Sequence, residues 1–411
     1  MKDNNIVVFG IGRVGLPLAL VLADKGFDVW GIDINPTHVA LLKKKKLPFM
    51  EEGAGELLEK YGGNKFQAFD SEKKVEAISR SKYIILTLGT PIDDTYSPDH
   101  RQIEKLFSEI LPVIKPGHVI LLRSTISPGT LRQLVRYVED NTSFKVGKNI
   151  YMAYCPERIA EGKSIEELAQ IPQIIGTIDL ESAKYAAKVF SKVTSKLLYS
   201  KPEAAELAKL YCNMYRYIDF AIGNEFMMIA EDYGCDIYDV LNLVNNGYKR
   251  GGLKSPGLTA GPCLVKDGFF LIDKSPFMEL VMAAWRLNEN IPGYLFKRVK
   301  AEVTLLNKKK IAILGLSFKK DIDDVRFSLV PKIQRYFLAE GAKVMVTDPH
   351  LPSDSLKETL EDADILVIGT NHSEYQKLSL AKLRAMVSKN CLICDIWNMF
   401  GTGKIIFHLN E

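Results

Sequence analysis

Gly10, Gly12 and Gly15 stand at the spacing G-x-G-x-x-G inside Val7-Val8-Phe9-Gly10-Ile11-Gly12-Arg13-Val14-Gly15-Leu16. Glycines so placed have separate tasks: a tight turn, close backbone approach to a pyrophosphate, and close packing of the next helix on the strand. The helix they open presents free N–H groups and its positive dipole end to phosphate. Asp33 ends the next apolar run, about twenty residues on, where an acid binds a ribose 2′-hydroxyl and repels a 2′-phosphate. Taken alone, Asp33 would be a helix cap. With a strand before the glycines and a helix after them, Gly10 to Gly15 and Asp33 are read as a dinucleotide pocket for NAD rather than NADP.

A second group lies far along the chain. Glu206, Lys209 and Asn213 fall at spacings of three and four in a helical stretch and so share one face. Beyond it runs Pro256-Gly257-Leu258-Thr259-Ala260-Gly261-Pro262-Cys263-Leu264-Val265-Lys266-Asp267, which puts a thiol, a base and an acid into a glycine-rich segment. Alone, Lys209 and Asn213 would be a solvated helix face and Cys263 an inert thiol. Cys391-x-x-Cys394 lies in the apolar run Asn390–Ile396, where an offset of three puts the thiols on opposite faces of a strand, so both are read as core. The six histidines, His100 and His372 among them, form no metal spacing, and no metal is expected. Lys43–Lys46 and Lys308–Lys310 read as solvated charge runs.

These residues need a scaffold, and the pattern supplies one. Ile6–Phe9, Val29–Ile32, Tyr83–Leu88, Val119–Leu122 and Ile150–Ala153 are strand-like, with helical patterns such as Leu16–Lys25 and Ile103–Ile114 between them. The alternation argues for a parallel sheet covered on both faces. A second block has strands at Ile311–Leu314, Lys343–Thr347, Ile365–Ile368 and Leu392–Ile396, with a helix at Pro331–Glu340. It too ends a strand on an acid, Asp348, but it lacks the glycine spacing and carries Phe318-Lys319-Lys320-Asp321 instead. Between the blocks, Pro202–Tyr233 reads as one long helix that starts on a proline and stops at Gly234. A further helix is expected over Pro276–Leu306. The fold class is therefore α/β, with two doubly wound, Rossmann-like parallel-sheet domains joined by a helical central domain. The expected divisions are residues 1–198 for NAD, 199–306 for the helical, dimerising part, and 307–411 for another phosphorylated ligand.

The chain has 411 residues, 47% hydrophobic and 25% charged, with 54 basic against 50 acidic side chains. That balance favours neither nucleic acid nor an anionic membrane as partner. No stretch approaches the ~18 apolar residues of a membrane span, the N-terminus has no signal-peptide pattern, and six irregularly spaced cysteines make no disulfide framework. A cytoplasmic enzyme with reduced thiols is expected.

Taken in order, the motifs resemble those of the UDP-glucose/GDP-mannose dehydrogenase family, the nucleotide-sugar 6-dehydrogenases. The resemblance runs from Gly10 to about Asp395. It is carried by Gly10–Gly15, Ser124-Thr125, Pro156-Glu157-Arg158-Ile159-Ala160-Glu161-Gly162, Glu206-x-x-Lys209-x-x-x-Asn213, Cys263-x-x-Lys266-Asp267, and Phe318-Lys319-Lys320-Asp321 with Arg326. It implies oxidation of a sugar C6 alcohol to a carboxylate in two hydride transfers to NAD, with a nucleotide sugar as substrate and a homodimer as the assembly. Cys263 would form a thiohemiacetal and then a thioester, splitting a hard step into easier ones. Lys209 would favour the thiolate and, with Asn213, an oxyanion on C6. Asp267 would activate water, and Glu157 and Thr125 would complete the water site. The resemblance also puts Thr90, Pro91, Thr125, Glu161, Lys266 and Arg326 on the cofactor. It puts Glu157, Arg158, Lys209, Asn213, Arg250, Gly257, Gly261 and Lys319 on the substrate.

Two departures stand out. Ala260-Gly261-Pro262 replaces the two glycines and Ser or His of many members, and Pro262 lacks an N–H. Arg158 stands where UDP-glucose dehydrogenases usually have an aromatic residue. The Pro-Glu-Arg form looks like that of members oxidising UDP-N-acetylhexosamines, UDP-N-acetylmannosamine in particular. Besides oxidation of UDP-glucose, the competing readings are a β-hydroxyacid dehydrogenase, which needs no thiol, and a non-catalytic protein that binds NAD or a sugar nucleotide.

Overall fold

The computed structural model describes residues 2–272 and 278–410. It separates into two compact units, residues 2–212 with 269–272 and residues 213–268 with 278–410. The unit boundary falls inside the long helix, Pro202–Asp232.

The first unit is built on an eight-stranded sheet: β1 (Lys2–Phe9), β2 (Asp28–Asp33), β3 (Phe66–Asp70), β4 (Ser81–Leu86), β5 (Val119–Leu122), β6 (Tyr151–Tyr154), β7 (Gln173–Gly176) and β8 (Leu197–Ser200). The order is β3-β2-β1-β4-β5-β6-β7-β8. β1 to β6 are parallel, and β7 reverses direction against β6. Sequence order turns back between β1 and β4, which makes the carboxyl ends of these strands the place for a ligand. The strands read as unbroken apolar runs because both faces are covered. Val8, Ile85, Leu121 and Ala153, aligned across β1, β4, β5 and β6, pack into one core. Val7, Ile84, Ile120 and Met152, one residue back, pack into the core on the other face. The helix Gly15–Asp24 is buried from Gly15 to Ala23, which explains why its sequence is apolar all round.

Three strands of this sheet carry too little sequence signal to be expected: β3, β7 and β8. β7 has four residues and β8, an edge strand, has no fully buried position. The first sheet is thus not wholly parallel as the alternation implied. Boundaries also shift: β4 stops at Leu86, two residues early, and the helix after it is Arg101–Ile110.

The second unit has a five-stranded sheet of β9 (Lys310–Leu314), β10 (Lys343–Thr347), β11 (Ile365–Ile368), β12 (Leu392–Cys394) and β13 (Ile406–His408), in the order β10-β9-β11-β12-β13. All pair in parallel except β13, which the sequence reading missed. Cys391 and Cys394 are buried in separate cores on the two sides of this sheet, as the offset of three requires. The helix expected over Pro276–Leu306 is Glu279–Glu302; Pro276 lies outside the described residues. Asn288 on this helix donates to the Tyr217 carbonyl at 3.1 Å and accepts from Asn224 at 2.9 Å. Asn224 in turn accepts the Gly257 N–H at 2.9 Å, so a buried amide chain ties the glycine-rich segment to the long helix.

Candidate active site

The glycine loop follows β1 and divides its tasks as the spacing implies. Gly10 has φ +86°, and a Cβ there would meet the Thr87 carbonyl at 2.8 Å. Gly15 packs so tightly that a Cβ would lie 2.0 Å from the Gly10 carbonyl oxygen, whereas nothing lies within 4 Å of a Cβ at Gly12. The open side of the loop is therefore at Gly12, where a pyrophosphate can approach. Asp33, at the end of β2, accepts the Ile11 N–H at 2.9 Å and the Asn35 N–H at 2.8 Å, fixing the carboxylate beside the loop with lone pairs to spare for a ribose. Asn35, not Asp33, caps the following helix Pro36–Lys43. Val14 leads into Gly15–Asp24. Arg13 pairs with Glu161 at 2.6 Å and lies over the Phe49 ring at 5.0 Å, so two expected cofactor residues meet across the loop.

The other expected residues of this unit also follow carboxyl ends of strands. Buried Thr90 and exposed Pro91 come after β4, half-buried Thr125 after β5, and buried Glu157 after β6. The Glu157 carboxylate accepts the Ile159 N–H, and Arg158 turns its guanidinium to the Pro172 carbonyl. Sequence reasoning missed Glu51, whose buried carboxylate takes N–H bonds from Gly162 at 3.1 Å and Ser164 at 2.6 Å and the Ser164 hydroxyl at 3.0 Å. It anchors the loop that carries Glu161.

On the long helix, Glu206 and Lys209 are buried, not solvated. Glu206 accepts the N–H groups of Gly129 at 2.6 Å and Leu131 at 2.9 Å, the free donors at the start of the helix Thr130–Asn141. Its motif position is thus explained by capping a neighbouring helix. Asn213, one turn beyond Lys209, belongs to the second unit and donates to Asp267 at 2.7 Å, both groups being buried.

Asp267 ends a short helix, Pro262–Lys266, and its N–H bonds the Cys263 carbonyl at 3.0 Å. Cys263 and Asp267 therefore stand one turn apart on one face, with the thiol exposed. Lys266 Nζ lies 3.3 Å from the Asp267 carboxylate. Pro262 takes the first helical position, where an N–H has no intrahelical partner, so this departure from the family pattern leaves the backbone of the turn intact. Gly261 before it has φ +103°, and a Cβ would strike the Phe318 ring at 2.6 Å; at Gly257 it would strike Trp397 at 2.5 Å. Arg250 is exposed and lies over Tyr248 at 5.3 Å. Lys319 is half-buried, and Arg326 forks onto the buried Asp324 at 2.6–3.0 Å.

Contrary to their sequence spacing, the fold gathers Asp321, His350 and His372, whose ligand atoms lie within 4.8 Å of one another. His372 Nδ1 accepts the Asp321 N–H at 2.9 Å, so Nε2 carries the proton and donates to Asp348 at 3.1 Å. The Asp321 carboxylate accepts the N–H and hydroxyl of Ser373. Both ring nitrogens of His372 are engaged, so Asp321, His372 and Asp348 form a hydrogen-bonded network that pins the loop after β9, and the His350 ring packs against that of His372 at 5.0 Å. Among the described residues, no helix is long and apolar enough to cross a membrane.

Profiles of the UDP-glucose/GDP-mannose dehydrogenase family match three stretches: its NAD binding domain over residues 4–194, its central domain over 203–291 and its UDP binding domain over 312–402. The UDP-N-acetyl-D-mannosamine dehydrogenase of Methanocaldococcus jannaschii is 31% identical over 407 residues, covering 96% of this chain and 92% of that one. The solved structure of UDP-D-ManNAc dehydrogenase from Pyrococcus horikoshii matches with a TM-score of 0.87 at 29% identity, covering 93% of each chain. That of a UDP-glucose dehydrogenase from Pyrobaculum islandicum gives 0.82 at 27% identity, covering 91% of each. The chain belongs to the UDP-glucose/GDP-mannose dehydrogenase family and is an NAD-dependent oxidoreductase acting on a nucleotide sugar.

Proposed function

We propose that this enzyme oxidises the C6 hydroxyl of a UDP-N-acetylhexosamine, UDP-N-acetyl-D-mannosamine first, to the uronate, taking two NAD per sugar. The carrying observation is the arrangement around the thiol: Cys263 exposed, Asp267 one turn on, and Asn213 fixed to Asp267 at 2.7 Å. The sugar is supported by the names of relatives such as the Methanocaldococcus jannaschii enzyme and by Arg158 after Glu157.

When bound, NAD accepts the hydride at each oxidation. Gly10, Ile11, Gly12, Arg13, Val14, Gly15 and Asp33 hold its pyrophosphate and ribose, with Thr90, Pro91, Glu161, Lys266 and Arg326 as further contacts. The first oxidation removes a hydride from C6 and a proton from its hydroxyl. The Cys263 thiolate then adds to the aldehyde carbon, and the oxyanion takes a proton to give a thiohemiacetal. Lys209 and Asn213 donate to that oxygen, a contribution of roughly 3–4 kcal/mol per donor in comparable sites. Loss of a second hydride and the hydroxyl proton leaves a thioester. Water, held by Thr125 and Glu157 and deprotonated by Asp267, adds to the carbonyl and expels the thiolate. Arg250, Gly257, Gly261 and Lys319 complete the substrate contacts, and Arg158 selects the acetamido sugar.

The same reading makes the chain a cytoplasmic homodimer that pairs through its long helix and supplies uronate for surface-polysaccharide synthesis. Exposed Tyr211 (57%) and Tyr215 (72%) on that helix support the pairing.

The test is NADH formation by the purified chain against UDP-N-acetylmannosamine, UDP-N-acetylglucosamine, UDP-N-acetylgalactosamine, UDP-glucose and GDP-mannose. Two NADH per UDP-N-acetylmannosamine is the expected result. Selective turnover of UDP-glucose overturns the sugar assignment, and one NADH per sugar with release of an aldehyde or ketone overturns the thiol mechanism.

A further inference from the structure

Arg123 belongs to none of the expected sets, yet its burial demands an explanation. It follows β5, directly before Ser124 and Thr125, and is 3% exposed. Its guanidinium donates through Nη1 to the Cys155 carbonyl at 3.1 Å and to Gln173 Oε1 at 2.7 Å, while Nε has no hydrogen-bond partner. One side rests over the Phe190 ring at 5.3 Å. Gln173 turns its amide to the carbonyls of Pro156 at 3.1 Å and Ile174 at 2.8 Å. Arginine and glutamine together therefore clamp the Cys155–Pro156 backbone, the point at which the chain leaves β6 for Glu157.

The contacts account for geometry but not for charge. Arginine stays protonated in proteins, and a buried cation held only by neutral acceptors is costly. Burial pushes the Arg123 guanidinium down, and the Glu157 charge is the foremost influence opposing it. The other nearby groups are Cys155, Tyr154 and Arg158. Cys155 is held as a thiol, since burial pushes it up to about 12, and Arg158 is a like charge. Glu157, itself 7% exposed and the residue directly after the clamped Cys155–Pro156 backbone, is the acid placed to answer this cation.

We propose that Arg123 is a positioning residue for Glu157: it supplies the buried positive charge that balances the Glu157 carboxylate and fixes the backbone from which that side chain departs. The inference rests on the role proposed for Glu157 in hydrolysing the thioester. A carboxylate that must hold water at one place gains from a rigid root and a fixed counter-charge that makes no direct bond to compete with the water. Arg123 provides both from the end of β5, an interior strand.

Three full-length variants test this. Arg123→Met removes the charge at similar volume, Arg123→Lys keeps it, and Arg123→Met combined with Glu157→Gln removes both charges. For Arg123→Met, kcat should fall roughly 100-fold while KM for the sugar nucleotide and Kd for NAD stay within about threefold, the pattern of a misplaced group rather than a lost binding contact. Arg123→Lys should recover about tenfold of that loss, and the double variant should unfold at higher urea than Arg123→Met alone. Unchanged kcat in Arg123→Met, or no recovery with lysine, overturns the proposal. Should Arg123→Met fail to fold, the double variant decides: a folded protein supports charge balance and an unfolded one refutes it. If no sugar nucleotide yields NADH, the proposed reaction fails, and the urea comparison still decides whether Arg123 and Glu157 are a pair.

Discussion

Asp33 and Asp348 hold equivalent places at the ends of the second strands of their sheets, yet only Asp348 has its carboxylate closed off by a side chain of its own domain. Each takes the N–H of the residue after the first glycine of its loop, Ile11 at 2.9 Å and Leu316 at 2.7 Å. Each also takes an N–H two residues on, from Asn35 at 2.8 Å and His350 at 2.9 Å. The glycines match as well, Gly10 at φ +86° and Gly315 at φ +88°. At Asp348, however, the Ser317 N–H and the His372 ring complete the shell, and the residue is 4% exposed. The place where a dinucleotide ribose would donate is thus filled by His372 Nε2–H. The two domains share a loop architecture, and at this one carboxylate the second has an internal hydrogen bond.

This difference makes acid stability measurable at one residue. Burial pushes the Asp348 carboxyl up, but the hydrogen bonds from His372, Leu316 and His350 outweigh it and hold the group at about 2. A carboxyl lower in the folded than in the unfolded chain gives stability that is whole above about pH 4 and drains away as pH falls toward 2. Asp348→Asn should therefore cost about 2 kcal/mol at pH 7 and progressively less below pH 4. Urea midpoints of both proteins from pH 7 to pH 2.5 check this; a gap that stays constant means the ionised form is not what stabilises.

Asp33, left open, should govern the choice of dinucleotide. A carboxylate beside the ribose repels a 2′-phosphate. Asp33→Ser should lower kcat/KM with NAD, because Ile11 and Asn35 lose their acceptor, and should raise it with NADP. A fall of at least tenfold in the ratio of the two constants is expected, about 1.4 kcal/mol. Parallel assays at saturating sugar nucleotide measure it, and an unchanged ratio would place the ribose elsewhere.

What the sequence made legible was local. The glycine spacing, Asp33 and the run from Pro202 to Gly234 each need only neighbouring residues to be understood, and all three are in place. The buried strands were legible because a parallel sheet covered on both faces writes itself as apolar runs. β8 escaped because an edge strand with Leu198 and Tyr199 exposed has no such run. Glu206 stands in the motif with no stated task until its two N–H partners, more than seventy residues away, are known. His372 and Asp321 are 51 residues apart, so no spacing rule could pair them. Arg123 directly precedes the Ser124-Thr125 motif, but only tertiary packing reveals that a cation there is buried.

The six thiols should divide into two classes. Cys212, Cys235 and Cys263 are exposed, and Cys155, Cys391 and Cys394 are buried. Burial pushes Cys155 and Cys391 up to about 12 and Cys394 higher still, which leaves these three almost no thiolate at neutral pH. A chromogenic disulfide reagent should leave Cys155, Cys391 and Cys394 unmodified in the native protein and reach them only in denaturant. Loss of NADH formation should follow modification of Cys263, located by mass spectrometry, and Cys263→Ala should be inactive while still binding NAD. Activity that survives complete labelling of Cys263 excludes the thiol from the reaction.

Two glycines three residues apart should fail in opposite ways when given the same methyl group. At Gly12 nothing lies within 4 Å of the added Cβ, so the folded chain has no reason to lose stability. The methyl would instead occupy the space through which the pyrophosphate reaches the loop N–H groups. At Gly15 the same carbon would lie 2.0 Å from the Gly10 carbonyl and 2.5 Å from Thr87 Oγ1, which itself bonds the Gly10 carbonyl at 2.6 Å. The helix Gly15–Asp24 would have to move off β1, and its buried face from Leu16 to Ala23 with it. Gly12→Ala should thus keep its melting temperature and weaken NAD binding at least tenfold, about 1.4 kcal/mol. Gly15→Ala should lose roughly 1–3 kcal/mol or more of stability, since overpacking a filled contact strains the backbone. Thermal melts with and without NAD, together with NAD titrations by protein fluorescence, separate the two. If Gly12→Ala melted early while binding NAD normally, the open side of the loop would have to lie elsewhere than at Gly12.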